Sequence, residues 1–184
     1  GPLATLELVH RLDRDTSGCI MVARTHRRLR ALHDALRAGQ VEKHYLALAA
    51  GRWRPQRLRL ESRLAKVRSP GGEARMEEVE GGKLAATVFD FVEAWPEATL
   101  VGASLDTGRT HQIRVQAAAA GHPLAGDPIY GDVAFNARMR ALGLKRTFLH
   151  AASLRIPDGS RDGLVVSAPM PDGLRAVLDR LDGR

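Results

Sequence analysis

Three side chains, Asp13, Tyr45 and Arg114, carry most of the chemical potential of this 184-residue chain, and each comes from a different kind of local sequence. Asp13 stands in His10-Arg11-Leu12-Asp13-Arg14-Asp15-Thr16-Ser17-Gly18, a tight polar turn between two apolar runs. Leu6-Glu7-Leu8-Val9 leads in by alternation and Cys19-Ile20-Met21-Val22-Ala23 leads out as a short apolar run, so both predict strands. A turn of this kind presents a carboxylate at a sheet edge, where chemistry is often placed. It reads equally as an Asp-rich hairpin turn with surface arginines. Tyr45, one of two tyrosines, lies in the strand-like run Lys43 to Ala49, where a half-buried packing role is its first reading. Arg114 belongs to a helix predicted over His111 to Ala120, with Thr110 as N-cap and Gly121 as the stop. Helical spacing puts it on the side of Thr110 and Ala117. Among such small neighbours its guanidinium is either engaged by an acid or turned to water.

Other chemistries find little support. The histidines (His10, His26, His33, His44, His111, His122, His150) are scattered singly, without zinc-site spacing, so no metal is expected. No Gly-x-Gly-x-x-Gly, Walker loop or Gly-x-Ser-x-Gly elbow occurs, which argues against nucleotide cofactors and acyl-transfer hydrolysis. The one cysteine, Cys19, excludes an internal disulfide and reads as a buried thiol.

The formal charge of +7 and a pI near 10.4 point to a polyanionic partner. The excess is segregated: arginines crowd the chain from Arg11 to Arg68, and Glu73 to Glu97 turns the middle acidic. That pattern favours one basic face, and arginine suits phosphate better than lysine does. No apolar run reaches the ~20 residues of a membrane helix, and no signal-peptide pattern is visible. A cytoplasmic monomer without membrane attachment is expected. The opening Gly1-Pro2 reads as a fragment or tag scar.

The elements that must position these side chains follow from periodicity. Leu29, Leu32 and Leu36 predict an amphipathic helix from His26 to Ala38, with Arg27, Arg28, Arg30 and Arg37 on its other faces, ordinarily a solvated surface. Leu58, Leu60 and Leu64 predict a strand, and the turn chemistry of Ser69-Pro70-Gly71-Gly72 and Gly81-Gly82 makes the acidic middle a hairpin region. Strands over Ala86–Trp95 and Thr99–Leu105, joined by Pro96-Glu97, should pair antiparallel. A loop from His122 to Asp132, a helix over Ala134–Leu142, strands over Thr147–Ile156 and Leu164–Ala168, and a helix over Asp172–Leu181 complete the chain.

Taken together, the motifs resemble those of the RluA family of pseudouridine synthases. His10 to Gly18 is similar to its first signature, Thr107-Gly108-Arg109-Thr110-His111-Gln112-Ile113-Arg114-Val115 to its second, and Lys43-His44-Tyr45-Leu46-Ala47-Leu48 to its tyrosine motif. Gly121-His122-Pro123, Gly126-Asp127-Pro128-Ile129-Tyr130-Gly131-Asp132 and Phe148-Leu149-His150-Ala151 fit in the same order. The resemblance leans to the subgroup acting on large-subunit ribosomal RNA. It implies an α+β fold on a mixed, largely antiparallel sheet with a central active-site cleft, and cofactor-free conversion of uridine to pseudouridine. Residues 1–184 would form the catalytic domain without its N-terminal part, which carries an Asn-Lys-Pro-x-Gly pattern, and without an S4-type domain.

By matching position, Asp13 is the expected nucleophile, Tyr45 the surface on which uracil stacks, and Arg114 the partner of Asp13. Arg11 would fill the gap left by the flipped nucleotide, and with Arg14, Arg109 and His111 would bind RNA. The roles are physically coherent. A target base must leave its stack, at a cost of a few kcal/mol that phosphate contacts and stacking offset. A carboxylate nucleophile works ionised, and a neighbouring arginine favours that form. A hydrolytic glycosidase would want a second carboxylate, and Asp15 is too close in the turn to supply it, which leaves it a turn-stabilising role. Gln116 stands where the family commonly has histidine, a departure expected to matter modestly. Two other readings stay open: a synthase acting on transfer RNA, and a catalytically silent RNA-binding or ribosome-assembly module.

Overall fold

The alternation of β4 (Glu42–Ala50) explains the layering of the molecule. Tyr45, Ala47 and Ala49 enter one buried cluster with Ile113 and Ala117, while Leu48 enters another with Phe135, Met139, Leu174 and Val177. A central strand that alternates between two cores must be covered on both faces. The structure is a computed structural model that describes residues 6–54, 56–68, 74–161 and 163–183.

The remaining strands are β1 (Glu7–Leu8), β2 (Ser17–Gly18), β3 (Val22–Ala23), β5 (Arg57–Arg68), β6 (Ala74–Glu78), β7 (Lys83–Ala94), β8 (Ala98–Leu105), β9 (Leu149–Ile156) and β10 (Leu164–Ser167). The helices are α1 (His26–Arg37), α2 (Gln112–Ala119), α3 (Val133–Ala141) and α4 (Asp172–Leu181). The main sheet runs β10-β9-β4-β8-β7-β5-β6, antiparallel throughout, and β2 adds to β9 in parallel. This is the α+β, largely antiparallel fold expected. The pairings of β7 with β8 and of β5 with β6 also agree, whereas the turn at Ser69–Gly72 lies outside the described residues.

An irregularity between β4 and β9 at His44/Tyr45 pairs Lys43 with Leu154 and Tyr45 with Ala151. The extra residue in β9 keeps Leu154 on the same face as Leu149 and Ala151. One face therefore packs α2 beside α1, whose Ala35, Leu29, Leu32 and Leu36 join Leu154 and Val9; the opposite face packs α3 and α4.

Two expectations about the site elements need correction. The strands flanking the Asp13 turn are only two residues each, β1 with β3, because Ser17–Gly18 leaves the hairpin to pair with β9. Gly18 makes that possible: its φ is +117°, and a Cβ there would lie 2.1 Å from Ala151 O. Thr110 is not the cap of α2; that position falls to His111, with φ 55° and ψ 17°. Gln112 closes the entry instead, its Oε1 accepting Arg109 N–H at 3.0 Å and Thr107 Oγ1 at 2.7 Å.

Candidate active site

The turn that carries Asp13 is fixed by its own backbone and by a distant arginine. Thr16 N–H donates to Asp13 O at 3.0 Å. Arg146 Nη1 donates to Asp15 O at 2.7 Å and to Leu149 O at 3.2 Å, and Arg146 Nη2 donates to Ser17 Oγ at 2.7 Å. Ser17 Oγ also bonds Nδ1 of the buried His150, whose Nε2 meets Ala168 O. Asp15 thus serves the turn through its carbonyl. Cys19 is buried as expected, and burial pushes its thiol pKa up.

Arg114 rises from α2 into a ready-made acid pair. Its Nε and Nη2 donate to Asp127 Oδ2 and Oδ1 at 2.7 and 2.9 Å, and its Nη1 donates to Asp13 Oδ2 at 3.2 Å. The alternative in which this arginine points to water is excluded. Asp127 has no exposed side-chain surface and takes two further bonds on Oδ1, from Ile129 N–H and Tyr130 N–H. Burial works to raise its pKa, yet Arg114 and the two amides outweigh it and the net shift is downward. Burial also opposes the charge on Arg114, and the carboxylates more than restore it. Gly126 sets the approach of this loop: with φ +73°, a Cβ would sit 2.4 Å from Arg146 O.

His111 stands between Asp13 and Tyr130. Its Nε2 lies 3.8 Å from Asp13 Oδ2, and its Nδ1 is 2.9 Å from Tyr130 Oη, which accepts Met76 N–H at 2.9 Å. With the tyrosine proton directed to Nδ1, neutral imidazole carries its own on Nε2, facing Asp13. Burial first, then the charge of Arg114, lowers the His111 pKa. The left-handed backbone at His111 costs about 1–2 kcal/mol and turns the ring toward the carboxylate.

Asp13, His111 and Arg114 line a cavity of about 700 Å³ with Tyr45, Arg11 and Arg109. Arg14 borders a smaller neighbouring cavity of about 280 Å³ that shares Arg11 and Asp13. Tyr45 is a buried wall of the larger cleft rather than simple packing, and burial together with the charge of Asp13 pushes its phenol pKa up to about 12.

The chain is similar to known proteins in sequence and in fold. The family model described as RNA pseudouridylate synthase covers residues 3–119. The chain belongs to the RNA pseudouridylate synthase family. It is 45% identical over 177 residues to "Ribosomal large subunit pseudouridine synthase C" of Haemophilus ducreyi, covering 96% of this chain and 55% of that one. Against the protein of the same name from Escherichia coli (strain K12) it is 44% identical over 179 residues, 96% of this chain and 56% of that one. The chain thus spans about half the length of the curated relatives it matches. Among solved structures it resembles "Human RNA Pseudouridylate Synthase Domain Containing 1", with TM-score 0.79, 27% identity, and coverage of 98% and 81% of the two chains. "Human RNA Pseudouridylate Synthase Domain Containing 4" shares the fold at TM-score 0.79 and 23% identity, with 96% and 76% covered.

Within this pseudouridylate synthase family member, the fold brings together residues that sequence reasoning did not single out. Asp127 lay inside a quoted motif, and an acid opposite Arg114 was foreseeable, but its separation from Arg114 by a helix and a turn hid the pairing. Lys43, half-buried in the cleft wall with its pKa lowered by burial, was visible only as a neighbour of Tyr45. Arg146 gave no periodic signal. Gln116 is fully buried: its Nε2 donates to Leu60 O, Ser62 Oγ and Ala85 O, and its Oε1 accepts from Thr87 Oγ1, tying α2 to β5 and β7.

Proposed function

We propose that the full-length protein is an RNA pseudouridine synthase, an isomerase converting uridines of large-subunit ribosomal RNA to pseudouridine without a cofactor. One observation carries the reading: Arg114, held on buried Asp127 by two hydrogen bonds, offers its third nitrogen to Asp13 in a cleft walled by Tyr45. The names of the relatives support ribosomal RNA as the substrate class.

The isomerisation breaks the bond from uracil N1 to the ribose C1′ and makes one from C5 to C1′; C5 loses a proton and N1 gains one. Every heavy atom of the base stays in the product, so the cleft must hold the detached uracil and keep water from attacking C1′. Asp13 is the nucleophile that breaks the glycosidic bond. Arg114 orients that carboxylate, and Tyr45 stacks on the turned base. Arg11, Arg14, Arg109 and His111 bind the RNA, Arg11 filling the space of the flipped nucleotide.

The test is tritium release from uracil C5 in a large-subunit RNA transcript. Wild-type protein should release it, and Asp13→Asn should bind the transcript and release none. Unchanged turnover in that variant would sink the mechanism. Turnover confined to transfer RNA would move the substrate assignment.

A further inference from the structure

The arginines of the sheet and those of α1 are held differently. Several on the sheet are ion-paired, Arg57 with Asp90, Arg59 with Glu61 and Asp106, and Arg75 with Glu77, and Arg63 donates to Gly82 O. On α1 the situation differs. Arg27 and Arg30 are exposed and have no acid partner among the described residues, and Arg24 and Arg28 beside them are equally unpaired. Arg27, Arg30, Asp34 and Arg37 fall at i, i+3, i+7 and i+10, which places them on one stripe. Only Asp34 interrupts it, pairing with Arg37. The stripe runs about 15 Å, and its last residue, Arg37, lines the cleft that holds Asp13 and Tyr45.

We propose that this α1 stripe is an RNA-backbone track leading out of the active-site cleft, contacting phosphates of the strand that flanks the target uridine. It rests on the pseudouridine synthase reading above. The helix is rigidly registered to the nucleophile. Its buried side packs on Val9 and Met21 of the hairpin that carries Asp13, and His33 Nε2 bonds Val9 O at 3.0 Å. A phosphate held at Arg27 or Arg30 therefore sets the distance of the bound strand from Asp13. Arginine forks on a fixed helix grip backbone without reading sequence.

The experiment uses full-length protein and two transcripts of the same target loop, one trimmed to the loop and one carrying flanking helix on both sides. Arg27→Gln/Arg30→Gln should raise KM several-fold on the long transcript at unchanged kcat. Its plot of log KM against log salt should be shallower by about two. On the trimmed transcript it should match wild type, and Arg27→Lys/Arg30→Lys should recover most of the salt dependence. Arg140→Gln/Arg175→Gln removes the same charge from exposed positions on α3 and α4, the opposite layer, and should leave both transcripts unaffected. Equal KM and salt slope for wild type and the α1 variant on the long transcript would overturn the track, as would an equal loss on both transcripts or from the control pair. Wild-type protein that turns over neither transcript would instead overturn the proposed function, which keeps the two failures distinct.

Discussion

Asp13 and Asp127 share one guanidinium and are treated in opposite ways. Asp127, in the loop between α2 and α3, is fully enclosed and takes two bonds from Arg114 and two from backbone amides. Asp13, in the turn before β2, keeps 22% of its side chain exposed and takes one longer bond from the same arginine. The first carboxylate is saturated, so its charge is consumed in holding Arg114 still. The second retains unfilled acceptor capacity facing a cavity, which a nucleophile requires. A buried ion pair contributes little net stability against an apolar replacement, but it fixes geometry, and breaking it from one side is costly.

The largest expected effect separates reactivity from stability. Asp13→Asn should lower single-turnover tritium release on the order of 10⁴-fold or more, while the melting temperature stays close to wild type. A melting loss as large as that of an Asp127 variant would erase the distinction between the two carboxylates.

Asp127→Asn should act in the other order. It leaves Arg114 buried beside a neutral amide, a loss of about 3–5 kcal/mol, which corresponds to a melting temperature lower by roughly 6–20 °C for a chain of this size. Turnover should fall as well, because Asp13 loses its fixed partner. Replacing both members, Arg114→Met with Asp127→Leu, should restore much of the melting temperature and none of the turnover. Recovery of activity in the double variant would show that the pair does not position Asp13.

What the sequence could reveal follows from the range of the interactions. The apolar face of α1, strand β4 and the antiparallel pairing of β7 with β8 are local patterns, and they were legible in Leu29-Leu32-Leu36, in the run from Lys43 to Ala49 and in the short Pro96-Glu97 link. The family signatures added the fold and the trio Asp13, Tyr45 and Arg114, which one cavity brings together. Hidden from the sequence were contacts whose partners lie far apart along the chain. Arg146 reaches the Asp13 turn across 131 residues, and Ser17 pairs with His150 across 133. Thr110 was misread for a related reason. Its hydroxyl is a good generic cap, but the side chain of Gln112 had already taken the Arg109 amide, and the cap position shifted to a left-handed histidine. The anchoring of Gln116 was hidden in the same way, because its three donor contacts lie on strands 31 to 56 residues earlier.

The saturated carboxylate should also announce itself in acid. Its native pKa lies below the ordinary 3.8, so the unfolded chain binds a proton at Asp127 before the folded one does. The stabilisation is complete well above pH 3.8 and is lost as pH falls through the depressed native value. Denaturant melts of wild type and Asp127→Asn should therefore differ most near neutrality, begin to converge as pH falls past 3.8, and meet only below the depressed native value. A gap that stays constant into strong acid would mean that the ion pair is not the source of the difference.

The smallest effect reads the open carboxylate through its neighbour. Tyr45 is raised to about 12 by burial first and by the charge of Asp13 second, so its phenol stays protonated where a free tyrosine ionises. In a Tyr130→Phe background of this 184-residue chain, which leaves Tyr45 as its single tyrosine, ultraviolet titration of the protein with Asp13 intact should show no phenolate near pH 10. Adding Asp13→Asn should bring the onset to lower pH while burial keeps it above the free value. Adding Asp127→Asn should move it less, since that carboxylate is not among the causes of the Tyr45 shift. An equal response to both substitutions would mean that the charge of Asp13 is no more open to the cleft than that of Asp127, and the contrast between the two carboxylates would fail.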